Sequence, residues 1–457
     1  MTCMMPLCVH AENIPSIYIS TAEQNGLGLE KADGYTNALI QVTNGETIIV
    51  NGTGMIKVRG NSTAEAPKKP YKIKLDTKQN LFGMGMAKKW VLLANCFDPT
   101  MLRNALAFDL AKELGLAYTS QYTFAEVWMD GTYLGCYQLT EPVEAKNTRV
   151  NIDADEGDFL IEYEKSRSSP DDIYLVAEGW RYRISEPEIP TKQQLSHIEA
   201  VMSEAQRAVR SGTYDAIPEI LDIESFAKFY LLNEIFKTND FGYSSVYFYY
   251  QDEKLYAGPV WDFDLSAGNT NAAFSIGYTN AVNPEELYAT TCHFFTYLLQ
   301  YPEFEQEVAR IYAEHYDYIE SLYVPGGRID QLREQYAGAF GRNYQIWDIS
   351  ESYTILMKNP KPTYEENIAY LKDWLRKRNH WLSEYYNIFD DFPRGDINHD
   401  GAVSVLDLVL LKKYLLKQET FTQMQFKAGD LNWRYGWPDV NIYDLILLKK
   451  ILLNLSE

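Results

Sequence analysis

GPVWDFDLSAGN, residues 258–269, ends an apolar run with two aspartates two positions apart and turns at once into small residues. In extended backbone residues i and i+2 face the same way, so the pattern predicts that Asp262 and Asp264 project together from a strand tip. Upstream, VYFYYQD and KLYAGPVW read as two antiparallel strands joined by a turn at Asp252-Glu253. Before them IESFAKFYLLNEIFK has apolar residues at helical spacing, so a helix ends near Lys237 and TNDFGYSS comes after it. A hairpin returns the chain to where it began, which brings Asp240 towards the same spot. Three converging carboxylates suit magnesium or manganese, hard cations that prefer oxygen. Phosphoryl transfer uses such ions, while a separate carboxylate orients the attacking hydroxyl.

Counter-charge for phosphates lies nearer the N-terminus. KVRGNSTAEAPKKPYKIKLD, residues 57–76, is dense in cations. Alternation along YKIKLD places Tyr71, Ile73 and Leu75 on one face and Lys72 and Lys74 on the other. Arg59-Gly60-Asn61-Ser62 reads as a turn whose donors join the same anion site. From Ile14 to about Lys165 the pattern is mostly strand, with one helical stretch near 100–114 and a hairpin turning at Asp130-Gly131. From about residue 190 helices dominate. The last long one opens with a capping box at Thr363 and Glu366 and ends near Phe389, and DDFPRG joins it to the C-terminal segment. His197, His293, His315 and His380 belong to no recognisable constellation.

The 457 residues are 46% apolar and 14% aromatic, enough for several cores. A net charge of −21 argues against nucleic acid or an anionic membrane as the main partner. No segment approaches the roughly 18–20 continuous apolar residues of a membrane span. Residues 1–11, ending Val9-His10-Ala11, read as the remnant of a signal peptide, so the mature chain is expected to be soluble and secreted. Beyond that leader only Cys96, Cys136 and Cys292 remain, with no disulfide framework or zinc motif.

The C-terminus carries an internal repeat: DLVLLKKYLLK (407–417) overlays DLILLKKILLN (444–454), each after an acidic loop. In the first loop Asp396, Asn398, Asp400, the Ala402 carbonyl, Ser404 and Asp407 fall at positions 1, 3, 5, 7, 9 and 12, with Gly401 at position 6. That is the ligand rhythm of an EF-hand calcium loop. The second loop is longer, running from Asp430 to Asp444; Asp430, Asn432, Asp439, Asn441 and Asp444 converge only if residues 433–438 bulge outward.

Duplicated calcium loops ending in Asp resemble the dockerin module of cellulosomal proteins over residues 395–457. The resemblance implies docking onto a cohesin domain of a scaffoldin, with Val405, Leu406, Lys412, Lys413, Ile442, Tyr443, Lys449 and Lys450 as contacts by position. The enlarged second loop departs from the pattern. A second resemblance covers residues 14–390: KVRGNST, PKKPYKIKL, FGMGMAKKWVLLANCFDPTMLRNALAFDLAKELG, DGTYLGCYQLTE and GPVWDFDLSAGN match, in order and spacing, the CotH kinase family.

That resemblance implies an α+β fold with a two-lobed, protein-kinase-like body: a strand-rich N-lobe over 12–165, a helical C-lobe over 166–390 and ATP between them. It gives Asp240 the catalytic role, and Asp262 or Asp264 the magnesium or manganese. Arg59, Ser62, Lys72 or Lys74, and Glu141 (at the hinge or as a structural residue of the lobe boundary) would bind the nucleotide. No glycine-rich loop precedes the lysine strand, and the lysine's acidic partner is either Asp109 or Glu113. Ser244 and Ser245 stand where a metal-binding asparagine is expected, with Asn239 or Asn269 as substitutes. The expected function is a secreted, dockerin-anchored ATP- and metal-dependent kinase acting on Ser or Thr of an extracellular protein. The alternatives are a non-catalytic structural or binding subunit of a cellulosome, or nucleotidyl or glutamyl transfer in the same cleft.

Overall fold

A computed structural model of the chain describes residues 14–165, 169, 172–271, 281–388, 394–398, 400–421, 423–432 and 440–453. Seven strands come first: β1 (Pro15–Thr21), β2 (Thr36–Asn44), β3 (Thr47–Val58), β4 (Tyr71–Asn80), β5 (Met86–Leu93), β6 (Tyr122–Met129) and β7 (Thr132–Thr140). They close into a barrel of order β1-β2-β3-β4-β5-β7-β6, antiparallel except where β1 lies parallel to β6. Closure leaves no strand edge exposed, and alternation turns Ile17, Ile40, Val42, Ile56, Ile73 and Trp90 inward to fill the interior. The helix Arg103–Glu113 interrupts the strands, and the β6–β7 turn at Asp130-Gly131 has positive φ at both residues, as a two-residue hairpin requires.

A second sheet is built from β8 (Phe159–Tyr163), β9 (Ile173–Ala177), β10 (Trp180–Glu186), β11 (Val246–Gln251) and β12 (Lys254–Ala257) in the order β12-β11-β8-β10-β9. The β11–β12 hairpin turns at Asp252-Glu253, both at positive φ. It pairs with β8, so strands far apart in sequence share one sheet.

This arrangement overturns the expected two-lobed, kinase-like α+β body. The strands form a closed barrel plus a separate five-stranded sheet instead of one strand-rich lobe set over a helical one. The physical cause is edge pairing: β1 finds β6, and the hairpin finds β8, partners that local alternation does not specify.

Helices pack around the second sheet and against one barrel wall. Asp222 caps the helix Ile223–Phe236 by accepting from the Ser225 amide. The helix Tyr364–Tyr385 opens with the Thr363/Glu366 capping box. Ala337–Ile346 approaches β7 closely because Gly135 has no side chain: a Cβ there would lie 2.5 Å from Asn343 Oδ1, and the glycine's φ is +100°. Among the described residues no helix is long and apolar enough to cross a membrane. The C-terminal helices Val405–Leu415, Gln423–Gly429 and Ile442–Leu452 enclose a small core of Ile397, Leu411, Val440 and Leu448.

Candidate functional site

The residues just after β12 lie on the seam between the two large cores: Phe263 packs into the helical one and Leu265 into that of the barrel. Asp264, between them, is 8% exposed. The segment is not a strand, and Asp262 sits in left-handed backbone at φ +74°. The two carboxylates are therefore placed by a turn and not by strand alternation, which corrects the expected geometry. Local donors and acceptors hold the turn: Asn104 Oδ1 accepts from the Phe263 amide (2.8 Å), and Asn269 Nδ2 donates to the Asp264 carbonyl (2.8 Å). Ser245 Oγ donates to Asp262 Oδ2 at 3.0 Å.

Asp240 lies close enough to this turn for its charge to act on Asp264. The Asn239 amide donates to the Leu265 carbonyl at 3.0 Å, and Asn239 Nδ2 donates to Asp240 Oδ1 at 3.4 Å. Burial, then the negative charges of Asp262, Asp240 and Asp98, push the Asp264 carboxyl well above the usual aspartate range. A divalent cation bound beside such carboxylates would relieve this repulsion. No group of three or more His, Cys, Asp or Glu side chains among the described residues is drawn together as a ready-made metal cage.

Arg59 lies over the Trp261 ring, 5.3 Å from its centroid, and faces Asp262, Tyr247, Asp264 and Glu162. Arg59 and Trp261 line two adjoining spaces. One is a small cavity that also touches Asn95, Asn104, Asp262 and Asp264. The other is a cleft of about 470 Å³ lined by Arg59, Lys72, Lys89, Arg183, Tyr247 and Trp261, with Glu144, Asp172 and Glu188 among its acidic residues. Burial, then the cations Lys89, Lys57 and Arg59, set against an upward pull from Glu144, bring Lys72 down to about 8. Lys89 is ion-paired with Glu144 and Arg183 with Glu162 and Asp172, so Arg59 and Lys72 are the cations through which the cleft favours an anionic ligand.

Other expected positions separate. Lys72, not Lys74, lines the cleft, one residue pair further along β4. Thr63, not Ser62, lines the small cavity. Glu141 is buried in an ion pair with Arg149 and accepts from the Gln121 amide (2.8 Å). Asp109 pairs with Arg328 and Tyr122, and Glu113 lies near His315, so neither serves the lysines. The carboxylates beside a cleft lysine are Glu144 and Glu188, 3.1 Å and 3.8 Å from Lys89. Lys89 lies within the FGMGMAKKWVLLAN block but carries no local sign of a role, and no motif marks Arg183 or Glu144; β5–β4 pairing and the second sheet bring them to the cleft.

In the C-terminal module Asp396 is buried and accepts from the amides of Asp400 (3.1 Å) and Gly401 (2.8 Å). Asp400 Oδ1 accepts from the Ala402 amide at 3.0 Å. Asp407 Oδ1 accepts from Ile397 and Asn398, and Oδ2 from the Ser404 amide at 2.8 Å. The second copy repeats this frame: Asp444 Oδ1 accepts from Leu431 (2.8 Å) and Oδ2 from Asn441 (2.8 Å). Asp430 is buried, Asn432 is exposed, and Asp439 lies outside the described residues. In the first loop this frame fits calcium; of the second loop, residues 433–439 lie outside the described residues. Val405, Leu406, Ile442 and Tyr443 are all more than half exposed, an apolar surface on two helices.

Comparison with known families places both parts. The family described as CotH kinase protein matches residues 56–382, and the Dockerin type I domain matches residues 394–453. No curated protein matches the chain.

Proposed function

The chain belongs to the CotH kinase protein family, and on that premise we propose that its body transfers the γ-phosphoryl group of ATP to a Ser or Thr hydroxyl of an extracellular protein. The observation that carries this reading is the cationic cleft of about 470 Å³ that meets the Asp262/Asp264 turn at Arg59 and Trp261. Arg59 and Lys72 would hold phosphate oxygens. Asp240 would orient the acceptor hydroxyl and take its proton. Asp262 and Asp264 would hold magnesium or manganese, which supplies charge neutralisation across the phosphates. The Arg59–Trp261 stack keeps the guanidinium aimed at the turn and excludes water from one side.

Transfer of label from γ-labelled ATP to co-secreted proteins tests the proposal, and label arriving from the α position instead would indicate nucleotidyl transfer. The pH profile gives a second check. Lys72 carries its charge below about 8 and loses it above, so kcat/KM for ATP should fall as pH rises through that value. Lys72→Arg should move the falling limb upward, and Lys72→Met should raise KM for ATP by about tenfold or more.

The C-terminal module would anchor the enzyme to a cohesin, placing it in a cellulosome outside the cell. Calcium removal should release the chain from an immobilised cohesin, and Asp407→Ala should weaken capture even with calcium present, both read by surface plasmon resonance. Undiminished capture in a chelator would refute the anchoring role.

A further inference from the structure

Tyr316 and Glu320, on the helix Tyr316–Ser321 of the body, are buried, and Asp317 lies beside them. Glu320 Oε2 has no hydrogen-bond partner among the described residues. A buried carboxylate flanked by a second one is costly unless a cation compensates it. The cation that faces Glu320 comes from the calcium module, not from the body: it is Lys427, on the helix Gln423–Gly429. Its ammonium donates to the Tyr316 hydroxyl and lies 4.1 Å from the centroid of that ring. Asp317 and, from the helix Tyr364–Tyr385, Glu384 also act on it.

The module's own contacts tie this lysine to both metal loops. The helix that carries it runs directly into Asp430, whose amide donates to the Phe426 carbonyl at 2.9 Å. The Gly395 amide, just before Asp396, donates to the Ala428 carbonyl at 2.8 Å. The first loop and the start of the second therefore both hold the turn of helix from which Lys427 projects. The apolar residues suited to a partner lie elsewhere, on the helices Val405–Leu415 and Ile442–Leu452.

We infer that the calcium module docks on its own body through Lys427, seated against Tyr316, Asp317 and Glu320, so that calcium in the loops stabilises this face of the body while the apolar helices stay turned to a partner. This docking is independent of the transfer reaction. It needs calcium in the loops and nothing in the cleft. Burial pushes the Glu320 carboxyl up, with Lys427 pulling it down and Asp317 pushing it further up, and pushes the Lys427 ammonium down against the pull of Glu320.

Hydrogen–deuterium exchange on the full chain, with calcium and with a chelator, tests it. Calcium should slow exchange in residues 316–324 by about tenfold as well as in residues 395–432. In Lys427→Met, which keeps the apolar stem, calcium should still protect 395–432 but no longer 316–324. Tyr316→Phe should reduce the body's response partly. Exchange in 316–324 that ignores calcium, or that responds equally in Lys427→Met, would overturn the inference, as would a module that itself shows no calcium response.

Discussion

Asp264→Asn is expected to lower phosphoryl transfer by about 10²–10³-fold while making the protein more stable. The two effects have one cause. Burial and the charges of Asp262, Asp240 and Asp98 all oppose ionisation of this carboxyl. A carboxyl that is harder to ionise in the fold than in the unfolded chain costs stability as pH climbs above the ordinary aspartate range. Asparagine keeps the shape, and its oxygen can still accept from the Leu265 amide, but it carries no charge. Thermal unfolding near pH 8 should show the variant ahead by about 1 kcal/mol or more, and the gap should close below pH 4. A variant equal to wild type in transfer would remove Asp264 from the proposed chemistry. A variant less stable at pH 8 would show that the ionised carboxylate has a structural partner.

Arg378→Ala should be among the most destabilising single changes in the chain, at about 3–5 kcal/mol. Arg378 and Glu234 are both fully buried and ion-paired to each other. Between them they organise the backbone of residues 284–289. Arg378 donates to the carbonyls of Pro284 (2.8 Å) and Glu286 (2.9 Å), and Glu234 accepts from the amides of Tyr288 and Ala289, each at 2.7 Å. Lys237, in left-handed backbone at the end of the same helix as Glu234, donates to the carbonyls of Asn283 (2.9 Å) and Glu285. Arg378 also donates to the Glu234 carbonyl at 3.1 Å, so removing the guanidinium takes the cation from a buried carboxylate and a donor from three carbonyls at once. The paired change Glu234→Leu with Arg378→Met should cost less than the sum of the single changes, because no lone charge remains. The clamp also reaches the site: the Tyr288 hydroxyl donates to the Asn239 carbonyl at 3.2 Å, next to Asp240. Urea unfolding measures the first effect. A loss of transfer at temperatures where Arg378→Ala is still folded would report the second.

Much of the local structure was legible because it is written in short-range chemistry. Asp130-Gly131 and Asp252-Glu253 mark their turns, Thr363 and Glu366 mark a helix start, and the EF-hand spacing of residues 396–407 shows in the hydrogen bonds that Asp396 and Asp407 accept. Asp240 reaches Asp264 because a hairpin must return the chain to its origin, which is also a local rule. The choice between Lys72 and Lys74, the place of Ser62 and the structural rather than hinge setting of Glu141 are not legible locally, for a different reason. Facing direction along a strand is local, but which strand, cleft or counter-ion lies opposite is not. Glu141 found Arg149, while Glu144, three residues on, reached Lys89.

The amino-acid order alone determined the repeat, its acidic loops, the helix and turn boundaries, and the aspartates that meet at the end of the hairpin, since each depends on residues within a few positions of one another. Barrel closure by β1 and β6, the five-stranded sheet within the expected helical half, and the cations that line the cleft with Trp261 were decided by long-range pairing. Unsatisfied strand edges and buried charges choose partners by what the rest of the fold brings within reach, and no stretch of sequence carries that information by itself.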